Sequence, residues 1–490
     1  MLRAVLWRVR RSRCFRCVSS RTLVGFGSIS AGKILSCRRN RDFSWNCPIG
    51  NIADMNTGDT AWLLVSTALV LLMVPGLALF YGGLVRPKNV LSTYMHSFLA
   101  MGLITLQWVA FGYSLAFGPD QGGVIGGLSF AFLRGVGLEP RPGMTVPHLL
   151  FMAYQMMFAI ITPALISGAF AERLKFSAYV LFTLLWATFV YDPLAHWLWA
   201  DGGWLQKLGA LDFAGGIVVH VSSGFSALVF ALVLGKRLGY PRERILPHNL
   251  TMVLLGAGLL WFGWFGFNGG SALAASGVAA LALVNSQLAA AMGGMVWLVV
   301  DLARYGKASA LGFASGFIAG LATVTPASGY VGPMGALAIG AAAGLACYGA
   351  VMLKGKLGYD DTLDAFGVHG VGGAVGSILL GVFALRVWNP GGADGLLAGN
   401  AAFFGKQLLA VAAGIGYAVV GTFVLLKLVD AVVGLRVGAE QEHEGLDIHL
   451  HGEEGYNMGV GVTSRGSADV FAEAEAESEM RLAKQPTPIA

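Results

Sequence analysis

Leu211-Asp-Phe-Ala-Gly-Gly-Ile-Val-Val-His220 opens an apolar run that continues to about residue 234 and holds one ionisable group, His220, in its interior. An α-helix rises 1.5 Å per residue, so about 20 apolar residues cross the roughly 30 Å hydrocarbon core of a bilayer. An imidazole at that depth is costly and calls for a partner, a wet cavity or a functional role. Asp364-Ala-Phe-Gly-Val-His369 repeats the pattern farther along: an Asp near the start of an apolar run, then a lone His inside it.

Working outward from these two runs gives eleven segments of spanning length, at about 60–84, 91–117, 148–171, 176–194, 213–234, 249–270, 276–302, 309–325, 332–353, 363–385 and 402–430. The runs are long and unbroken and do not alternate every second residue, so an all-α polytopic membrane protein is expected and a barrel is not. His220 lies in the fifth segment and His369 in the tenth. Two five-helix halves have opposite orientation because five is odd, which predicts an inverted repeat plus one extra helix, with a site at the repeat interface. Twelve Lys and Arg residues fall in the loops after odd-numbered segments and five in the opposite loops. The amino end is therefore expected outside and the carboxyl end in the cytoplasm.

Composition agrees with a bilayer environment. Of 490 residues, 56% are hydrophobic and only 12% charged, too few to coat a soluble globule of this size. The net charge of +6 is concentrated at one end: residues 1–50 hold eleven Lys and Arg against Asp42 alone, leaving 22 bases and 26 acids for the rest. No nucleic-acid partner is implied. Three regions follow: a basic leader at 1–54, a membrane domain at 55–434 and a polar, acidic tail at 435–490. The leader reads either as an organellar transit peptide or as an upstream extension before a start at Met55. Cys14, Cys17, Cys37 and Cys47 lie in it, and Cys347 alone lies in the body, in an apolar run. Neither a disulfide framework nor a complete metal site is expected. The distal tail is expected to be disordered, and Glu444–Tyr456 is placed to dock on the helix bundle.

Packing and chemistry separate in the remaining motifs. Gly312, Gly316 and Gly320, and Gly340 with Gly344, are spaced to flatten helix faces for close approach, without any implied ligand. A lone buried His is ordinarily a satisfied core residue, but two at matched places of an inverted repeat suit a shared role. Neutral imidazole offers one donor and one acceptor to a small polar solute. No Cys, Asp or Met ligands lie in register to finish a metal or haem centre, so no cofactor is expected. His96, His148, His196 and His248 fall near segment ends. Trp261, Phe262, Trp264, Phe265 and Phe267 crowd one end of segment six, followed by Ser271; Trp199 lies in another loop and Phe158 inside segment three. Such aromatics form either an interfacial belt or a cage for a cation.

Several long motifs then carry a family resemblance: Pro75-Gly-Leu-Ala-Leu-Phe-Tyr-Gly-Gly83, Gly168-Ala-Phe-Ala-Glu-Arg173, Leu211 to His220, Trp264-Phe-Gly-Phe-Asn268 and Phe366-Gly-Val-His-Gly370. Over about residues 56–456 the chain resembles the ammonium transporter family, the Amt/Mep/Rh proteins, in its bacterial Amt branch. The resemblance implies a homotrimer in the cell inner (cytoplasmic) membrane with a pore in each subunit. It implies that ammonium is held by Trp199, Phe158 and Ser271, with Trp197 and Trp204 as neighbours of Trp199 that could take its place. It implies a gate of Phe158 and Phe267, and a narrow apolar lumen lined by His220 and His369. Asp212 matches an acidic residue near the recruitment site and reads equally as a helix cap. Glu444–Tyr456 resembles the family's regulatory tail, which implies a PII-type signalling partner.

The function expected from these residues is ammonium recruitment, deprotonation and conduction of ammonia. An ammonium sensor signalling through the tail is the alternative. A membrane enzyme is a third class, but no nucleophile elbow, phosphate loop or metalloprotease motif supports it.

Overall fold

The computed structural model describes residues 55–456 except Arg244; the leader at 1–54 and the distal tail beyond Tyr456, with the expectations placed on them, lie outside the described residues. Among those described, ten helices are long and apolar enough to cross a membrane: α1 Thr57–Leu84, α2 Pro87–Phe117, α3 His148–Phe170, α4 Phe176–Leu208, α5 Gly216–Leu234, α6 Leu250–Gly270, α7 Gly277–Tyr305, α9 Pro333–Leu357, α10 Phe366–Phe383 and α11 Ala401–Val433. The remaining expected segment, α8, is the apolar helix Ala310–Val324 of 15 residues, about 22 Å long and short of a full crossing. The backbone beyond it is buried without being helical, and it is satisfied from the side: Asn285 Nδ2 of α7 donates to the carbonyls of Ser328 and Val331 at 2.8 Å each. Irregular backbone at membrane depth is tolerated where protein covers it in this way.

The glycines act where the spacing placed them. A Cβ at Gly316 or Gly320 of α8, or at Gly340 or Gly344 of α9, would stand 3.0 Å or less from α7 backbone atoms around Ala289 and Gly293. Bare backbone therefore lets three helices share one contact zone. The same device joins α5 and α10. A Cβ on Gly224 would lie 2.0 Å from the Gly370 nitrogen, and one on Gly373 would lie 2.7 Å from the Gly216 oxygen and 2.8 Å from His220 Cβ.

One face of the bundle is polar and ordered. Glu172, in the left-handed region at φ 72° after α3, takes hydrogen bonds from Arg86, Asn89 and Arg237. Arg237 also holds Asp360 through two nitrogens at 2.9 Å. The near tail docks on this face. Glu442 accepts from the Leu238 amide at 2.6 Å and from Arg436 at 2.7 Å, and Asp447 accepts from the Leu91 and Ser92 amides at 3.0 and 2.7 Å, capping the first turns of α2. Tyr456 hydroxyl meets His248 Nε2 at 2.9 Å. On the opposite face, a short hairpin pairs Asp120–Gln121 with Ile125–Gly126.

Candidate functional site

His220 and His369 are presented by two helix starts of the same design. Each lies in a widened, π-type turn, Gly216–Val221 and Phe366–Gly370, at the head of α5 and α10. Such turns are frequent at functional sites. Asp212 binds the α5 end through four amides: Gly215 and Gly216 on Oδ1 at 2.9 and 2.6 Å, Ile217 and Val218 on Oδ2 at 2.8 and 3.0 Å. At α10 the carboxylate in the matching place is Asp361, not Asp364. Asp361 takes the amides of Ala365 and Phe366 at 3.2 and 2.8 Å, whereas Asp364 turns away to Lys354. This corrects the pairing of Asp212 with Asp364. The sequence carries the signal, since Asp212 to His220 and Asp361 to His369 are both eight residues apart, although Asp364 is nearer to its His.

Because glycine backbone is all that separates α5 from α10, the two imidazoles meet. Their ring centroids are 5.2 Å apart and their planes differ by 13°. Both are buried, and neither nitrogen of His220 nor Nδ1 of His369 has a protein hydrogen-bond partner. Buried polar atoms left open in this way are free to serve a solute. The chamber wall is otherwise apolar, from Met73, Leu77, Phe80, Ile161, Leu165 and Ile318 among others. It leaves about 10 Å³ for the centre of a water-sized molecule, close to the minimum for one.

A column of rings connects the histidines to a cleft on the hairpin side. Trp199 meets Phe158 edge-on at 5.8 Å; Phe158 meets Phe267 at 4.3 Å; Phe267 meets His220 at 6.1 Å. The cleft, about 780 Å³, is lined by Trp199, Asp212, Phe213, Ser271 and Tyr330 among others. Trp199 Nε1 donates to the Asp212 carbonyl at 2.8 Å, and Ser271 hydroxyl donates to the Phe267 carbonyl at 2.8 Å. Trp199, not its neighbours, therefore touches Phe158. Trp197 packs on Trp204 and Tyr417. Toward the tail side, a smaller cavity of about 60 Å³ continues from His369 past Ser315 to Asp364.

Trp264 departs from the belt reading. It is buried, its ring is stacked 5.6 Å from His220, and its Nε1 is fixed by Thr325 Oγ1 at 2.9 Å. Phe262, 54% exposed two residues earlier, remains suited to lipid.

Membrane-length helices enclosing a narrow apolar chamber, with two facing imidazoles in its wall, define a multi-pass membrane transport protein. Residues 61–456 match the Ammonium Transporter Family, and the chain belongs to that family. It is 51% identical over 404 residues to the ammonium transporter of Bacillus subtilis (strain 168), a match covering 82% of this chain and 99% of that protein. Ammonium transporter Amt1 of Archaeoglobus fulgidus is also 51% identical, over 82% of this chain and all of that protein. Among solved structures, Saccharomyces cerevisiae Mep2 superposes with a TM-score of 0.75 at 40% identity, covering 80% of this chain and 90% of that one. A protein described as a sensor Amt protein superposes at 0.74 and 30% identity, over 80% and 98%.

Proposed function

We propose that this chain recruits ammonium at the hairpin-side cleft, strips it of a proton and conducts ammonia past His220 and His369 to the tail side. The observation that carries the reading is the facing imidazole pair with open nitrogens in a dry chamber that holds about one small molecule. Ammonium and potassium have similar size and charge, so attraction alone does not separate them. Desolvating a full charge costs far more than desolvating a neutral hydrogen-bonding molecule. Only a cation with an accessible conjugate base can shed its charge and enter. Trp199, Phe158 and Ser271 would hold the cation through ring faces and a hydroxyl, each cation–π contact contributing about 0.5 to 2 kcal/mol. Phe158 and Phe267 would part to admit it. Asp212 serves this reading chiefly by fixing the α5 end and, through its carbonyl, the Trp199 ring.

In this reading the hairpin side faces outward and the tail side the cytoplasm, as the loop charges imply. The protein would sit in the cell inner membrane as a homotrimer, with its docked tail available to a PII-type signalling protein. A sensing role is the second reading. It is favoured by the tail contacts at Glu442 and Asp447, which tie α2 and the residues after α5 to one cytoplasmic segment.

The test is uptake by the His220→Ala, His369→Ala double variant reconstituted in liposomes. Loss of ammonium uptake, or a new potassium leak, is expected. Unchanged rate and selectivity would remove the histidines from the mechanism. A Glu442→Gln, Asp447→Asn variant that transports normally but loses ammonium-dependent signalling in cells would favour sensing.

A further inference from the structure

The hairpin at 118–127 is a strap across the vestibule end of α4. Val124 carbonyl accepts Trp197 Nε1 at 2.7 Å, and Gly123 carbonyl accepts the Trp204 amide at 3.0 Å. The third attachment is His196, which is fully buried. Its Nδ1 lies 2.9 Å from the Ala116 carbonyl oxygen and its Nε2 lies 3.0 Å from Asp120 Oδ1.

A carbonyl oxygen can only accept. Asp120 already accepts from the Gly123 amide at 2.6 Å and from Lys207 Nζ at 3.1 Å, which favours its ionised form, and that too can only accept. The His196 hydrogen bond first, with Lys207 adding to it, holds the Asp120 carboxyl down at about 2. Both neighbours of the ring therefore call for a hydrogen, and a neutral imidazole has one to give.

We propose that His196 is held as an imidazolium that clamps the strap to α4, and that it is thereby a positioning residue for Trp199. The proposal rests on the recruitment role of Trp199 given above. Trp199 lies three residues on in the same helix, one turn away, and its ring is held between the Asp212 carbonyl and Phe158. Loss of the Nε2 proton would aim a lone pair at Asp120 and release the strap. The charged group on the ring is Asp120 of the hairpin, itself paired with Lys207 in the last turn of α4, and α2 contributes the Ala116 carbonyl.

Two measurements on the full-length protein in nanodiscs or liposomes test this. The first is nitrogen NMR of histidine-labelled protein at neutral pH, with His196→Gln used for assignment. Two protonated ring nitrogens are expected, and a neutral tautomer overturns the clamp. The second is methylammonium uptake at neutral pH. His196→Gln and Asp120→Ala should each lose about 3- to 10-fold in half-saturation affinity with little change in maximal rate, the size of one hydrogen bond. Asp120→Asn, which can donate to a neutral ring, should keep more of the affinity than Asp120→Ala. Wild-type affinity in His196→Gln or Asp120→Ala overturns the proposal. Wild-type affinity in Trp199→Ala would instead overturn the recruitment reading and cut the link from His196 to binding, while the NMR result would still judge the charge.

Discussion

The two five-helix halves build one device twice and finish it differently. In both, a carboxylate eight residues before a histidine caps a π-type turn, and glycine backbone carries that turn into contact with its counterpart. At α5, Asp212 gathers four amides beside a wide cleft; at α10, Asp361 gathers two beside a narrow cavity, with Lys354 and Asp364 next to it. The shared part sets the histidine pair. The unshared parts distinguish the ends, one open and aromatic, the other ionic and bound to the tail. Repetition accounts for the histidine pair, and divergence accounts for the difference between the two ends.

The largest expected effect comes from breaking what the halves share. Gly224→Ala would push a methyl group to within 2.0 Å of Gly370 backbone, where no flexible side chain can yield. A loss of about 3 kcal/mol or more is expected, read as a large fall in thermal unfolding midpoint and loss of uptake. Gly258→Ala, on α6 with nothing within 4 Å of the new atom, is the control and should gain up to about 1 kcal/mol from helix propensity. Equal behaviour of the two variants would show that the α5–α10 contact does not set the pair.

The sequence was most legible where physics is one-dimensional. Hydropathy located the eleven segments because a bilayer demands a minimum length of apolar residues, and the helix ends fall within a few residues of those expected, apart from α4 with its longer C-terminal end. The short α8 is among them, expected at 309–325 and found at Ala310–Val324. The choice between Asp361 and Asp364 depends on which carboxylate faces the amides, a matter of turn geometry that residue type does not encode. His196 looked like an ordinary residue near a segment end because its two acceptors, Ala116 and Asp120, lie some 80 and 76 residues away. For Trp264 the sequence leaves belt and cage both open, because tryptophan serves either use at that depth, and the ring is found stacked beside His220.

A smaller effect should come from the caps. Asp212→Ala orphans four amides and Asp361→Ala two, so the first is expected to cost about 2 to 4 kcal/mol and the second about half that. Asp212→Asn keeps one acceptor oxygen and should fall between wild type and Ala in unfolding midpoint. If Asp212→Asn abolishes uptake at nearly wild-type stability, the charge itself acts on the cation, and the likeness between the two carboxylates ends at geometry.

The smallest effect distinguishes Asp361 from the ion pairs beside it on the tail side. Burial alone would push Glu172 and Asp360 up, but Arg237, helped by Arg86 for Glu172 and by Arg173 for Asp360, outweighs it and holds both below their ordinary values. Their contribution is present above the unfolded carboxyl range and is lost only as pH falls below about 4. Asp361 has the opposite sign. Burial first, with Asp364 adding and Lys354 opposing, lifts it to about 6, so its ionised form disfavours the fold at neutral pH. Proton uptake between about pH 6 and pH 4 relieves that cost, by at most about 1.4 kcal/mol per unit of displacement. From pH 7 to pH 5 the unfolding midpoint of the wild type should therefore rise relative to that of Asp361→Asn. A difference between the two that does not change over this interval would mean that the α10 cap is no more burdened by its charge than a solvated carboxylate.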